Sequence, residues 1–300
     1  QDGSEAPERG HSPTRDASAV NEPHPNPHLG GLRQVPNEDP ANWSVRRISA
    51  IARAFPDLVS YLEVGVEKGA TFENVPLRLR MGVDPEPRFD LATLPPGADF
   101  FHGPSDDFFA QLDSAEQFDI VFLDGLHTYQ QTYRDLINTL EHCPRGIVLI
   151  DDVVPSDEVS AIPDLQESFA ERERRGLPGL PWHGDVFLML LCLADHHPEL
   201  DWVTISEPDN PQTFVWKRRL DGVSRHVGAD VLESYRRVTY GDVFGAGMPS
   251  SFRPMSEADA MVVAIAGLTK LREQRRSSSA RFRRRIRRDL QRLRVSRRRH

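Results

Sequence analysis

The sequence predicts an α/β fold with a doubly wound, mostly parallel sheet of seven strands that ends in an antiparallel hairpin. Short apolar runs bounded by turn residues recur along the chain, and helical patterns separate several of them. Strands that alternate with helices form a parallel sheet covered on both faces. Only a short segment with two prolines separates the last two runs, which predicts the hairpin. The predicted strands are residues 59–64, 79–83, 98–101, 118–123, 146–150, 202–206 and 213–217.

Apolar residues at helical spacing predict the helices around these strands. The first helix leads into the first strand and ends before Pro56. Ser256, with Asp259 three residues later, is typical of the cap of the last one. The predicted helices are residues 43–55, 128–141, 185–195, 229–237 and 256–274.

Composition divides the 300-residue chain into four parts. Residues 1–44 are rich in Pro, Gly, Ser and acidic residues and have no apolar periodicity, which predicts a disordered arm. Residues 45–220 hold all the predicted strands and form the core domain, with a long insertion at 155–186. Residues 221–274 are predicted as a helical accessory region or lid, and residues 275–300 as an Arg-rich tail.

The net charge of −8 conceals a strong asymmetry. Residues 270–300 contain 15 Lys and Arg, whereas residues 1–269 contain 22 basic and 43 acidic residues. An acidic body argues against nucleic-acid binding by the core, because phosphate binding needs a positive surface. The tail has the pattern of a basic amphipathic helix, which fits an anionic surface or an acidic partner, including the body of a second copy in a homo-oligomer. A solvated tail fits the pattern equally.

Two further observations concern the cellular location. Cys143 and Cys192 lie far apart without metal-type spacing, which predicts free thiols in a reducing compartment. No apolar stretch approaches the roughly 20 residues of a membrane-spanning helix, and residues 1–44 contain no apolar signal segment. We therefore expect a cytoplasmic protein.

A glycine-containing turn follows the first predicted strand in "YLEVGVEKGAT", residues 61–71. Gly65 and Gly69 allow the backbone to approach a ligand, and Glu63 can accept hydrogen bonds from it. A purely structural turn is the alternative. The dinucleotide fingerprint G-x-G-x-x-G does not fit, because Glu63 takes the place of the first glycine and three residues separate the two glycines.

An aspartate ends the second predicted strand in "MGVDPEPRF". Asp84 lies 21 residues after Glu63, where an acidic side chain can bind both hydroxyls of a ribose. A solvated turn aspartate before Pro85 is the alternative. The preceding glycine turn favours the ribose interpretation.

Acidic residues also end the fourth and fifth predicted strands. Asp124 ends the fourth, whereas Asp151 and Asp152 end the fifth. Neighbouring parallel strands lie about 4.8 Å apart, so these carboxylates can converge, and their mutual repulsion favours a hard cation such as Mg²⁺. Helix caps and turn contacts are the alternative. His127 lies at the mouth of the same crevice, where a histidine can act as a general base or as a further ligand.

Together these residues resemble the class I S-adenosylmethionine-dependent methyltransferases, in particular the metal-dependent O-methyltransferases of small molecules. Their strand ends follow the patterns E-x-G-x-x-x-G-x-T, G-V-D-P, F-I-D-G-x-H-x-Y and G-G-x-I-x-x-D-D. The resemblance covers residues 48–218 and implies the Rossmann-like methyltransferase fold. In the catechol-type pattern Asn stands at the place of Asp152 and a lysine near that of His127. In related sugar- and macrolide-modifying enzymes, a histidine at the place of His127 is the base.

The resemblance implies a role for each of the strand-end residues. One group shapes the S-adenosylmethionine pocket, with Asp84 at the ribose and Ser105 and Asp106 near the adenine. A second group binds Mg²⁺, and His127 and Asp124 are the implied catalytic residues. The implied cofactor-binding residues are Glu63, Gly65, Gly69, Asp84, Ser105, Asp106 and Asp124, and the implied metal ligands are Asp124, Asp151 and Asp152.

The insertion at 155–186 lies on the binding edge of the predicted sheet, where long loops select or cover a substrate. Trp182, His183 and Asp185 are candidates for the lining of an acceptor pocket. In the alternative, Trp182 packs against the sheet and Asp185 caps the next helix.

We therefore predict a methyltransferase that transfers a methyl group from S-adenosylmethionine to a hydroxyl of a small-molecule acceptor, such as a sugar or another natural product. A divalent metal and a histidine base assist the predicted reaction. The alternatives are an NAD(P)-dependent oxidoreductase of the Rossmann type and a non-catalytic module that only binds S-adenosylmethionine.

Overall fold

The computed structural model describes residues 42–207 and 209–274. The Arg-rich tail and all but the last three residues of the predicted disordered arm lie outside these residues, so both remain predictions. The first helix begins at Trp43, two residues before the predicted boundary of the core domain. It begins there because the side chain of Asn42 accepts a hydrogen bond from the backbone N–H of Val45 and caps the helix.

The described residues contain eight strands and eight α-helices. The strands are β1 (Ser60–Val64), β2 (Leu79–Asp84), β3 (Ala98–His102), β4 (Ile120–Leu123), β5 (Ile147–Ile150), β6 (Leu200–Glu207), β7 (Gln212–Lys217) and β8 (Pro254–Ser256). The helices are α1 (Trp43–Ala54), α2 (Ser105–Gln111), α3 (Tyr129–His142), α4 (Leu165–Arg175), α5 (Phe187–His196), α6 (Ala229–Tyr235), α7 (Tyr240–Phe244) and α8, which is described over residues 257–274. Leu91–Thr93 and Ser250–Phe252 form short 3-10 helices.

All strands belong to one sheet, in the order β3-β2-β1-β4-β5-β7-β6-β8. Strands β1 to β5 are parallel, and β7 is antiparallel to both β5 and β6. The predicted fold class and the closing hairpin are therefore confirmed. The prediction of seven strands missed β8, which pairs parallel to β6 at the edge of the sheet. Three residues are too short for an apolar pattern.

Each face of the sheet is covered by a separate apolar layer. One layer joins the sheet to α3, α5 and the segment from Val227 to Phe252. The other joins it to α1 and to α8 through Ala260, Ala264 and Leu268. The region 221–274 is therefore not one accessory unit, because its two parts pack on opposite faces of the sheet.

The parallel arrangement determines where a ligand binds. The chain runs outward from β1 in both directions, to β2 and β3 on one side and to β4 and β5 on the other. In such sheets the crevice lies at the carboxyl ends of the strands, where the strand order reverses. Among the described helices, none is long and apolar enough to cross a membrane.

Candidate active site

The turn after β1 approaches the end of β4 so closely that it requires glycine. Gly65 has φ +86°, and a Cβ atom placed there would lie 2.0 Å from the carbonyl oxygen of Asp124. Its N–H donates to the carbonyl of Val83, at 2.9 Å, which also ties it to β2. Gly69 has φ +76° and completes the turn. The close packing brings three strand ends together at one point.

Asp84 organises this turn. Its Oδ2 accepts hydrogen bonds from the N–H groups of Val66 and Glu67, both at 2.8 Å, and its Oδ1 accepts from the N–H of Glu86 at 2.7 Å. The carboxylate therefore holds the glycine turn against the end of β2. A contact of Asp84 with ribose remains a prediction.

Glu63 lies on the same face of β1 as Tyr61, and a contact of Glu63 with the cofactor remains a prediction. It is almost fully buried, and its Oε2 accepts a hydrogen bond from the hydroxyl of Tyr61 at 2.6 Å. Burial raises the pKa of Glu63 from 4.5 to about 8, and the negative charge of Asp84 adds to this. Glu63 therefore stabilises β1 through a buried hydrogen bond with Tyr61.

Ser105 and Asp106 begin α2 directly after β3, and both are joined to α3. The Gln131 amide donates to the Ser105 hydroxyl and to Oδ1 of Asp106, both at 3.1 Å. The same amide donates to Asp135, at 3.0 Å, and burial raises the pKa of Asp135 to about 6. The predicted adenine residues thus lie on a hydrogen-bonded corner at the same edge of the sheet.

Asp124, His127 and Asp152 converge at the ends of β4 and β5, and we call them the strand-end cluster. Nε2 of His127 lies 3.1 Å from Oδ2 of Asp152 and 3.7 Å from Oδ1 of Asp124. One ligand atom from each residue lies within 4.8 Å of the other two. Two carboxylate oxygens and an imidazole nitrogen at this spacing are suitable donors for a divalent cation such as Mg²⁺ or Mn²⁺.

The imidazole of His127 lies between a backbone carbonyl and the two carboxylates of the cluster. Its Nδ1 lies 3.3 Å from the carbonyl oxygen of Trp182, and its ring stacks on the indole with 4.3 Å between centroids. Burial lowers the pKa of His127 to about 4, so the imidazole is neutral at pH 7. The single proton of the neutral ring has an acceptor on either side, the Trp182 carbonyl at Nδ1 or the Asp152 carboxylate at Nε2. In the tautomer with the proton on Nδ1, Nε2 is free to bind a cation or a proton.

Asp151 does not join the cluster, although the sequence predicts it as a metal ligand. Its Oδ1 accepts from the N–H of Asp152 at 2.9 Å, and its Oδ2 accepts from the side-chain amide of Gln212 at 2.9 Å. The structure therefore groups Asp124 and Asp152 with His127, and a role of Asp151 as a metal ligand remains a prediction. Both oxygens of Asp151 thus have partners on the protein, whereas Oδ2 of Asp152 lies next to His127.

The crowding of negative charge is visible in the pKa values of the cluster. Burial, followed by the charges of Asp151 and Asp152, raises the pKa of Asp124 well above its usual range. Burial and the charge of Asp151 do the same for Asp152. A cation placed between these carboxylates would relieve both effects.

The end of the insertion at 155–186 contacts the backbone of His127 and the start of α3. A Cβ atom on Gly184, which has φ +61°, would lie 1.7 Å from the carbonyl oxygen of His127. Oδ1 of Asp185 accepts from the N–H of Tyr129 at 2.7 Å, so it caps α3 and not the helix that follows it. Trp182 stacks on His127 rather than on the sheet. Nδ1 of His183 is buried without a hydrogen-bond partner among the described residues.

Comparison with known proteins identifies a methyltransferase domain in part of the chain. Residues 62–153, from β1 to the turn after β5, match the family model described as a methyltransferase domain. The match confirms the predicted methyltransferase and does not support the NAD(P)-dependent alternative. A comparison with curated proteins gave no match.

Several solved structures have a similar fold. Cofactor-bound Rv0187 from MTB is 15% identical over 63% of this chain and 84% of its own, with a TM-score of 0.41. The O-methyltransferase from Bacillus cereus in complex with SAH is 13% identical, over 60% and 82%, with a TM-score of 0.40. The MycE methyltransferase in complex with Mg, SAH and mycinamycin VI is 18% identical, over 61% and 57%, with a TM-score of 0.35. We transfer neither an acceptor nor a metal from these likenesses.

Proposed function

Since the chain is a class I S-adenosylmethionine-dependent methyltransferase, with its methyltransferase domain at residues 62–153, we propose that it methylates a hydroxyl group of a small molecule such as a sugar or another natural product. The strand-end cluster is the observation that carries this proposal. Two carboxylates and a neutral imidazole, all partly accessible, suit the binding and deprotonation of a hydroxyl.

The order of the strands supports the orientation of the cofactor. The ends of β3, β2, β1 and β4 follow one another along the sheet edge, a row of about 14 Å at the usual strand spacing. Ser105 and Asp106 stand at the β3 end of this row, Asp84 at β2, the glycine turn at β1 and Asp124 at β4. We assign adenine, ribose and methionine to these positions in that order. S-adenosylmethionine bound by these residues would supply an activated methyl group, and the strand-end cluster would hold the acceptor hydroxyl.

Within the cluster, Asp124 and Asp152 are the residues that would hold a divalent cation. Such an ion lowers the pKa of a bound hydroxyl and fixes its orientation. In the tautomer that donates from Nδ1 to the Trp182 carbonyl, Nε2 of His127 takes the acceptor proton. One nitrogen cannot bind a metal and accept this proton at the same time, so His127 as base leaves the ion to the carboxylates.

A reaction without metal is the second candidate. Carboxylate oxygens of Asp152 and Asp124 lie 3.1 and 3.7 Å from Nε2 of His127, so they can hold an acceptor hydroxyl beside this nitrogen. In this case Asp124 would position the acceptor hydroxyl, and removal of divalent ions would leave the rate unchanged.

The test is formation of S-adenosylhomocysteine with a panel of hydroxylated acceptors. Activity should be lost in EDTA, return with Mg²⁺, and be lost in Asp124→Ala. Asp90→Ala is the matched control, because Asp90 is an exposed aspartate that caps a short 3-10 helix away from the cluster. Activity that is indifferent to EDTA but lost in His127→Asn would favour the reaction without metal. Indifference to EDTA and to both substitutions would contradict the proposed site.

A further inference from the structure

We propose that Gln212 is a positioning residue, which holds Asp151 away from the strand-end cluster and thereby orients Asp152 toward His127. The inference rests on the proposed function for its consequence, the binding of a cation. Its structural part concerns only hydrogen bonds among the described residues.

Gln212 lies beside the turn after β5. Thr213 pairs with Ile150, so Gln212 is opposite Asp151, the next residue along the chain. The Gln212 side chain is fully buried. Its amide nitrogen donates to Oδ2 of Asp151 at 2.9 Å and to the hydroxyl of Ser44 at 2.7 Å. Both amide hydrogens therefore have acceptors.

Arg47 determines which way the Gln212 amide faces. Nη1 of Arg47 donates to Oε1 of Gln212 at 2.8 Å. A guanidinium only donates, so the amide oxygen must face Arg47 and the amide nitrogen must face Asp151. The amide orientation thus follows from its partners.

The Arg47 side chain is held by hydrogen bonds to α8 and to the turn between β6 and β7. This side chain has no exposed surface, and its Nη2 lies 3.0 Å from Oε2 of Glu257 on α8. Nη1 and Nη2 also donate to the backbone carbonyls of Asn210 and Asp209, at 2.6 and 3.0 Å. The hydrogen-bonded chain therefore runs from α8 through α1 and β7 to the end of β5.

Both carboxylate oxygens of Asp151 accept hydrogen bonds in this arrangement. Oδ2 is held by Gln212, and Oδ1 accepts from the N–H of Asp152. Asp152 has φ +58°, a left-handed conformation that is unfavourable for a non-glycine residue. The contact with Asp151 stabilises this conformation, and the Asp152 carboxylate then lies 3.1 Å from His127.

The competing interpretation makes Asp151 a metal ligand, as the sequence predicts. The two interpretations predict opposite changes in cation affinity when Gln212 is replaced. If Gln212 positions the turn, its loss weakens cation binding, although Gln212 does not touch the cation. If Asp151 is a ligand held back by Gln212, its release strengthens cation binding.

The variant is Gln212→Met, which keeps the shape of the side chain and removes its hydrogen bonds. Gln212→Asn is the second variant, because it keeps a buried amide that is one methylene too short to reach Asp151. Thr213→Val is the matched control. Thr213 is equally buried on β7, and its hydroxyl bonds only Thr204, at 2.7 Å, within the hairpin.

The measurement is Mn²⁺ binding to the full chain by electron paramagnetic resonance, in the presence of S-adenosylhomocysteine. We expect a 10- to 100-fold loss of affinity in both Gln212 variants, on the order seen when supporting residues around a metal site are removed. Thr213→Val should bind as the wild type does. Unchanged or tighter binding in either folded variant would overturn the inference.

If the wild-type protein binds no Mn²⁺, this result refutes the metal site of the proposed function and not the inference on Gln212. The positioning role is then decided by the ¹⁵N shifts of the His127 imidazole. We expect them to change in Gln212→Met and to stay constant in Thr213→Val. Identical shifts in wild type and Gln212→Met would overturn the inference without any ion.

Discussion

Replacing Gly65 by alanine tests the close approach of the β1 turn to the end of β4. The new Cβ would lie 2.0 Å from the carbonyl oxygen of Asp124 and 2.6 Å from Cα of Gly125. Both neighbours are backbone atoms, so no side chain can turn aside. The end of β4 must move, and the Asp124 carboxylate moves with it.

Gly176 provides a matched control for the size of this effect. It has φ +65° at the end of α4, and a Cβ there would meet no atom within 4 Å. Gly176→Ala should therefore cost only the left-handed conformation, roughly 1–2 kcal/mol of unfolding free energy. Gly65→Ala should cost this amount and a further ~1–3 kcal/mol for the forced shift of the backbone.

Urea and thermal unfolding, both followed by circular dichroism, measure the two costs, and calorimetry measures binding of S-adenosylhomocysteine. We expect Gly65→Ala to melt about 2–12 °C below Gly176→Ala, since ~1 kcal/mol shifts the Tm of such a domain by about 2–4 °C. Gly65→Ala should also lose cofactor affinity, whereas Gly176→Ala should keep it. Equal destabilisation of the two variants would refute the argument from close approach.

Three further substitutions test single interactions. His127→Asn should leave Mg²⁺ affinity unchanged and lower the transfer rate by about 10²–10⁴-fold, the usual contribution of a general base; a loss of Mg²⁺ affinity would make His127 a ligand. Because burial raises the pKa of Glu63 from 4.5 to about 8, its contribution to stability is complete below about pH 4.5 and is lost as the pH rises to 8. Glu63→Gln should therefore flatten the fall in unfolding free energy over this window, and parallel pH curves would count against the shift. Asp185→Ala should cost about 1 kcal/mol through the lost cap of α3, and unchanged urea unfolding would contradict that role.

Most of the seven predicted strands were predictable because their residues are buried and form apolar runs. Strands β4 and β5 are buried at every position and read as continuous apolar segments. Strand β8 has no such pattern, since only three residues at the sheet edge pair with β6. Helix α8 was predictable from its cap, and Ser256 does accept a hydrogen bond from the N–H of Asp259.

The sequence predicted which strand ends form the candidate site, but it did not predict how their side chains are oriented. The sequence indicates that Asp124, Asp151 and Asp152 end neighbouring strands, which the structure shows. Which of the last two faces the crevice depends on Gln212, 61 residues after Asp151. No local pattern contains that information.

The contact of Trp182 with His127 was not predicted either. It joins the insertion to a loop 55 residues earlier and depends on tertiary packing. One signal was present in the sequence. Gly184 follows Trp182 closely, and a glycine in a long loop on the binding edge indicates a close backbone approach.

The most direct test is calorimetric titration of S-adenosylmethionine and of Mg²⁺ into wild type, Asp124→Ala and Asp90→Ala. We predict that the cofactor binds wild type, that Mg²⁺ binds the complex, and that only Asp124→Ala loses the ion. Cofactor binding without any effect of Mg²⁺ or of Asp124 would contradict the metal site. A wild-type protein that does not bind S-adenosylmethionine would contradict the account as a whole.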